Sequence, residues 1–282
     1  MKLNQASAEL WIPDGTAEAA ALSRVTHLCI AAHQDDVEVM ALDGILAGFG
    51  NKDNWFMAVI VTDGAGSPRE GHYAHYTDDQ MKVLRRIEQK KAGYVGEYSA
   101  VAFLEYPSSA VKDAKNVAVK DDLKALLAAC NAEVVYTHNL ADKHDTHIGV
   151  ALRTVAAIRE LPPGNRPKKL YGCEVWRGLD WLVDCDKVLF EVDAHENIAA
   201  ALIGVFDSQI AGGKRYDLAT LARRRANATF YQSHHVDAAQ MINFGLDLTP
   251  LIRDEHLDPV EYINGFVQRF AEDVDCRIRK FA

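Results

Sequence analysis

Short β-branched and apolar runs alternate with stretches of helical periodicity along most of this chain. Val25-Thr26-His27-Leu28-Cys29-Ile30 predicts a first buried strand. Val37, Met40, Ala41, Ile45 and Leu46 then recur at helical spacing as far as the stop signals Gly48 and Gly50. Trp55-Phe56-Met57-Ala58-Val59-Ile60-Val61 predicts a second strand, which ends in the glycine-bearing Thr62-Asp63-Gly64-Ala65-Gly66-Ser67. A helix over 78–95, a strand over 100–104, a helix over 121–130 and a strand over 133–137 follow. Val150, Leu152, Val155 and Ile158 then mark another helix. This alternation predicts an α/β fold with a mostly parallel sheet flanked by helices.

Beyond Leu161-Pro162-Pro163-Gly164 the pattern continues with strands over 169–176 and 187–192, a helix over 194–206 and C-terminal helical segments. The expected organisation is a single domain over 1–282, with a core over about 25–209 and a C-terminal helical extension over about 210–282. The later strands form a C-terminal α/β elaboration of the same sheet. The residues before Val25, with a turn at Trp11-Ile12-Pro13-Asp14-Gly15 and an Ala-rich helical stretch, read as an extension laid against the sheet.

Composition narrows the function class. The 282 residues are 49% hydrophobic and 25% charged, as expected of a soluble globular protein with a substantial core. A net charge of −9 argues against nucleic acid or an anionic membrane surface as partner. Five scattered cysteines without CxxC spacing suggest reduced thiols, not a disulfide framework or a cysteine zinc site. The N-terminus has no signal-like apolar stretch and no run reaches spanning length, so the expectation is a cytoplasmic protein without membrane insertion. A homo-oligomer is left open.

Candidate chemistry gathers at two strand ends. Ala31-Ala32-His33-Gln34-Asp35-Asp36-Val37-Glu38 puts an imidazole and three carboxylates into one strand-to-helix turn, at the sheet edge where ligands bind. Crowding negative charge there is costly unless a cation, a substrate or catalysis uses it. The His33 and Asp36 spacing lets both side chains converge on one point, with Asp35 approaching from another side: half of a metal site. The competing reading is that Asp35 or Asp36 merely caps the helix. His138-Asn139-Leu140-Ala141-Asp142-Lys143-His144-Asp145-Thr146-His147 is a second polar loop at the same edge. Its His144 and His147 have metal-ligand spacing, against the plainer reading of a solvated loop. The loop around His72 and His75 reads as a substrate lid or plain surface. His234 and His235 read as structural, Arg223-Arg224-Arg225 as a solvated or oligomer-facing patch, and Cys29 as core.

Ala32-His33-Gln34-Asp35-Asp36-Val37-Glu38 resembles the A-H-P-D-D-x-E signature of the PIG-L/LmbE-like zinc-dependent de-N-acetylases, which have Rossmann-like folds. His144-Asp145-Thr146-His147 stands where that family carries H-P-D-H or H-x-D-H. The resemblance implies that His33, Asp36 and His147 hold Zn²⁺, with Fe²⁺ as the alternative, and that Asp35 and His144 are catalytic. It also implies a small-molecule N-acetylated sugar or glycoconjugate as substrate, deacetylated by metal-activated water. Thr62-Asp63-Gly64-Ala65-Gly66 and Arg85-Arg86-Ile87-Glu88 are similar to shorter family motifs, which makes Asp63 and Arg85 candidates for substrate binding. Arg85 and Glu88 also fit a helix-surface ion pair. Gln34, Ala65, Thr146 and Phe206 depart from the family pattern, and with Thr146 in an acid's place the group orienting His144 is undefined. Two rivals remain: a 2-His-1-carboxylate non-haem iron enzyme, and a non-catalytic sugar- or nucleotide-binding module using the Gly64/Gly66 loop.

Overall fold

The computed structural model describes residues 1–282 and joins the apolar runs into one eight-stranded sheet. In chain order the strands are β1 (Glu9–Trp11), β2 (His27–Ala31), β3 (Phe56–Thr62), β4 (Ala100–Tyr106), β5 (Val134–His138), β6 (Lys169–Cys173), β7 (Lys187–Glu191) and β8 (Ile242–Asp247). They lie in the order β1-β4-β3-β2-β5-β6-β8-β7. β4, β3, β2, β5 and β6 run parallel, whereas β1 pairs antiparallel with β4, and β8 antiparallel with both β6 and β7. The fold is therefore mixed α/β.

The first helices are α1 (Glu18–Ser23), α2 (Asp36–Met40), α3 (Leu42–Gly48), α4 (Asp78–Val95), α5 (Ser108–Lys112) and α6 (Ala118–Ala129). They are followed by α7 (Asp145–Arg159), α8 (Glu196–Gly204), α9 (Asp207–Ile210), α10 (Tyr216–Phe230), α11 (Thr249–Arg253) and α12 (Pro259–Phe281). None is long and apolar enough to cross a membrane. Helices cover both faces of the parallel strands, which explains why β3 and β4 are buried at every position and read as unbroken apolar runs. Alternate residues feed two separate cores: Leu28, Ile30, Met57 and Val59 on one face, Cys29, Ala31, Ala58 and Ile60 on the other. All five cysteines are free.

Two expectations need correction. The single helix expected after His33 is broken at Ala41, which ends α2 and starts α3 (φ −113°, ψ 28°). The carbonyls of Glu38 and Val39 accept from Arg224 Nη2 at 2.7 and 3.2 Å, so they are engaged outside the helix. The segment 210–282 is not a helical extension, because β8 inserts between β6 and β7 and completes the sheet. Asn243 and Gly245 interrupt the apolar run of β8, which hid it in the pattern. Gly245 is required by packing, since a Cβ there would lie 2.5 Å from the Phe190 ring.

Candidate metal centre

β2 and β5 are neighbours, but the chain leaves β2 to build β3 and β4 on one side before crossing to β5 on the other. Their carboxyl ends therefore flank the point where strand order reverses, the usual crevice of an open α/β sheet. The loop after β2 carries His33, Asp35 and Asp36, and the loop after β5 carries His144 and His147. Backbone pairing draws the two loops together. Thr137 Oγ1 donates to the Ile30 carbonyl at 3.0 Å, and Ala32 N–H donates to His138 Nε2 at 2.8 Å.

Three donor atoms meet in a tight triangle. His33 Nδ1 lies 3.1 Å from Asp36 Oδ2, Asp36 Oδ2 lies 3.3 Å from His147 Nε2, and His147 Nε2 lies 3.3 Å from His33 Nδ1. Metal–donor bonds of about 2.0–2.1 Å at tetrahedral angles put neighbouring donors about 3.3–3.4 Å apart. Two nitrogens and one carboxylate oxygen at that spacing match a borderline divalent cation in size and in chemistry. Asp36 and His147 are buried, and His33 is partly open toward the cavity.

His138 Nε2 also lies 3.6 Å from Asp36 Oδ2, which makes it a second candidate donor. That lone pair is already occupied by the Ala32 N–H. The proton must then sit on Nδ1, which is buried without a partner. Burial and the neighbouring His147 hold His138 well below the usual histidine range. Its ring stacks on His147 at 3.8 Å, so it packs behind the triangle as a neutral imidazole.

Charges around the triangle are sorted. Burial works against ionised Asp36, but His147 and His33 outweigh it and hold that carboxyl well below the usual range. Burial likewise opposes the His147 cation, yet Asp36 and Asp142 raise it to about 9. Asp142 Oδ2 approaches His147 Nδ1 at 3.5 Å and accepts from Trp176 N–H at 3.2 Å. Asp142 Oδ1 accepts from His144 N–H at 3.1 Å. Asp142 thus orients His147 and ties down the loop, as carboxylates behind metal-binding histidines do.

Asp35 is set apart from the triangle by its backbone. Its φ of 82° turns the side chain away from α2, and it makes no capping hydrogen bond. Asp36 Oδ2 accepts the His33 N–H at 2.8 Å, so capping does not account for either acid. Burial pushes Asp35 up to about 8, with Arg85 opposing the rise and Asp36 reinforcing it. Arg85 Nη2 is 3.8 Å from Asp35 Oδ1 and donates to the Gln34 carbonyl at 2.8 Å, while Nη1 donates to the Gly64 carbonyl at 3.1 Å. His144 packs beside the triangle, its ring 4.5 Å from that of His147 and 5.2 Å from that of His33, with Nδ1 unpartnered and its pKa lowered by burial, His147 and His33.

A cavity of about 370 Å³ opens onto the triangle. His33, Asp35, Asp36, Arg85 and His144 line it, while His147 lies fully buried behind them. Asp63 does not reach the cavity and is paired with Lys82 at 3.1 Å. The expected surface pair of Arg85 and Glu88 is corrected, since both are buried and have separate partners. Glu88 accepts from Ser208 N–H at 2.8 Å and from Ser208 Oγ at 2.6 Å, anchoring α9. The Arg223–Arg225 run is also not a solvated patch, because α10 packs on the sheet: Arg224 is buried and Arg223 lines the cavity. His72, His75, His234 and His235 are all exposed.

Sequence reasoning missed Asp142, His138, Trp176, Tyr216 and Arg223. Asp142 lay inside a motif already singled out. Trp176, Tyr216 and Arg223 reach the cavity only through the strands and helices that follow the motif loops, and no local spacing marks them.

Residues 28–158, which carry both loops, match the family model described as PIG-L: GlcNAc-PI de-N-acetylase. No curated protein matches the sequence. Among solved structures, N,N'-diacetylchitobiose deacetylase from Pyrococcus horikoshii has a TM-score of 0.62 at 14% identity, covering 86% of this chain and 90% of that one. The 4-carboxy-2-hydroxymuconate hydratase from Pseudomonas putida has a TM-score of 0.57 at 16% identity, covering 79% and 96%. A conserved protein from Thermus thermophilus has a TM-score of 0.59 at 16% identity, covering 79% and 94%. At these identities the likeness shows the fold. A deacetylase and a hydratase share it, so the fold does not select a reaction.

Proposed function

We propose, from the match of residues 28–158 to the PIG-L family model, that this protein is a metal-dependent hydrolase that removes the acetyl group of an N-acetylglucosamine-type substrate. The observation that carries the reading is the triangle of His33 Nδ1, Asp36 Oδ2 and His147 Nε2 at 3.1–3.3 Å, open to a cavity on one side. These three residues would hold the ion, Zn²⁺ or Fe²⁺, since the donor set accepts either. When bound, it would supply Lewis-acid polarisation of the acetamide carbonyl and a lowered pKa for water.

The chain's own groups do the rest. Asp35, beside the triangle but outside it, takes the proton of the attacking water, and its raised pKa suits it to that task near neutral pH. Arg85 holds the Asp35 turn in place through the Gln34 and Gly64 carbonyls and faces the cavity. His144 lines the cavity beside His33 and His147 with Nδ1 unpartnered, placed to hydrogen-bond the developing oxyanion and to pass on to the leaving amine the proton that Asp35 takes from water. Asp63 has no part here, being engaged by Lys82. The parallel order β4-β3-β2-β5-β6 supports a Rossmann-like description of the scaffold.

The test is acetate and free-amine release from a panel of N-acetylglucosaminides by protein reconstituted with Zn²⁺ or Fe²⁺. The expected result is equal release of both products, with kcat reduced about 10²- to 10⁴-fold in Asp35→Asn. Metal-loaded protein that releases no acetate from any of them would contradict the reading.

A further inference from the structure

We propose that the C-terminal half of α12 is a self-association surface, pairing antiparallel and two-fold with the same segment of a second copy of this chain. The first half of the helix is anchored. Ile263 and Phe266 are buried, Tyr262 Oη donates to the Asp247 carbonyl at 2.6 Å, and Arg269 Nε contacts Asp186 at 2.7 Å. From Ala271 to Phe281 no residue is buried, so about 16 Å of helix, at 1.5 Å per residue, lies at the surface.

That free half is not polar all round. Val260, Val267, Val274 and Phe281 recur every seven residues, with Phe270 and Ile278 beside them on the same side. Val267 is 47% exposed, Ile278 62% and Phe281 82%. A solitary solvated helix has no use for such a stripe, whereas a seven-residue repeat is the seam of a two-helix coil.

Charge selects the partner and its direction. Glu272, Asp273 and Asp275 precede Arg277, Arg279 and Lys280, so acid and base are arranged antisymmetrically about Cys276; within one copy Asp273 pairs with Arg277 at 2.8 Å and Asp275 with Arg279 at 2.6 Å, which leaves Lys280 without a partner. A parallel pair would set like charge against like. An antiparallel pair of identical segments sets the acids of each copy against the bases of the other, and the contact is isologous and closed. Asp273 and Lys280, seven apart, flank the stripe on one side, so Asp273 of each copy meets Lys280 of the other. Cys276 falls on the far side of the helix from the stripe, and no disulfide is involved.

Sedimentation equilibrium of the full chain, from about 1 to 100 µM, tests this. The expected result is a dimer in the wild type and a monomer in Val274→Asp/Ile278→Asp, with an unchanged far-ultraviolet circular dichroism spectrum because neither site is buried. Asp273→Lys or Lys280→Asp alone should raise the dimer Kd about tenfold, and the double exchange Asp273→Lys/Lys280→Asp should restore it. Three results would overturn the proposal: a wild-type monomer throughout, a dimer indifferent to the Val274/Ile278 substitutions, or a double exchange no better than the single ones. Co-sedimentation of a monomeric wild type with phosphatidylserine vesicles would assign the stripe to a membrane instead, and would likewise overturn it.

Discussion

Asp35 occupies a backbone region, φ 82°, that a residue with a Cβ enters at a cost of order 1–3 kcal/mol. The surroundings hold it there: Gln89 Oε1 accepts its N–H at 3.3 Å, and Arg85 grips the preceding carbonyl. Asparagine tolerates such a conformation, so Asp35→Asn should keep the fold and bind metal as the wild type does while losing turnover. Asp142→Asn is expected to separate in the other direction. It removes the charge behind His147 and should weaken metal binding about 10- to 100-fold, read by competition with a chelator. Far from the site, burial lowers the pKa of His27 below its ordinary value. The unfolded chain then binds more protons than the native one as pH falls through about 6.5, so His27 costs stability on acidification. The gap in urea midpoint between His27→Gln and wild type should therefore shift in favour of the variant from pH 7 to pH 5. A gap that stays constant would show that His27 is not buried as a neutral ring.

At the scale of elements, two contacts explain how the motif loops are held. Gly64 has φ +75°, and a Cβ there would lie 2.4 Å from Gln34 Oε1. Gly64→Ala should cost at least about 1 kcal/mol, measured by urea unfolding. Adding Gln34→Ala should return the steric part of that loss and leave the conformational part. Arg224 joins α10 to the end of α2 through the Glu38 and Val39 carbonyls and to β8 through Asn243 Oδ1 at 3.0 Å. Burial lowers its pKa to about 10, still charged at neutral pH. Arg224→Met should destabilise the protein by about 2–4 kcal/mol, because it removes the donor to the buried Glu38 carbonyl and leaves Val39 only the longer bond from Asn243 Nδ2 at 3.3 Å. The parallel strands and the two motif loops were legible because fully buried strands and metal-ligand spacings are local patterns. Arg224 was not, since a run of three arginines looks the same whether a helix packs on one of them or none. β8 was hidden for a related reason: Asn243 is there to accept from Arg224 and Gly245 to admit Phe190, and both needs are tertiary.

Across the whole molecule, one site is assembled from distant parts of the chain. The region over 28–158 that matches the PIG-L model supplies the triangle, Asp35, Arg85 and His144, whereas Trp176, Gln209, Tyr216 and Arg223 close the cavity from beyond it. This division predicts that metal binding depends on the first group and substrate choice on the second. Tyr216→Ala should leave metal content unchanged and act on KM or kcat. The two loops that carry the candidate donors were legible in the sequence because each has its own spacing, and the choice of His33, Asp36 and His147 among them came from the family resemblance. The cavity wall was not, because it depends on how α10 and the strands after Pro162 pack against a sheet edge built much earlier in the chain.

The most direct measurement is elemental analysis of purified wild type beside Asp36→Ala and His147→Ala, with acetate release followed on the same samples. The expected result is about one zinc or iron per chain in the wild type, with metal and acetate release lost together in both variants, which lie on loops 111 residues apart in sequence. Wild-type protein that takes up no metal after reconstitution, or variants that retain it in full, would contradict a shared metal centre built from the two loops.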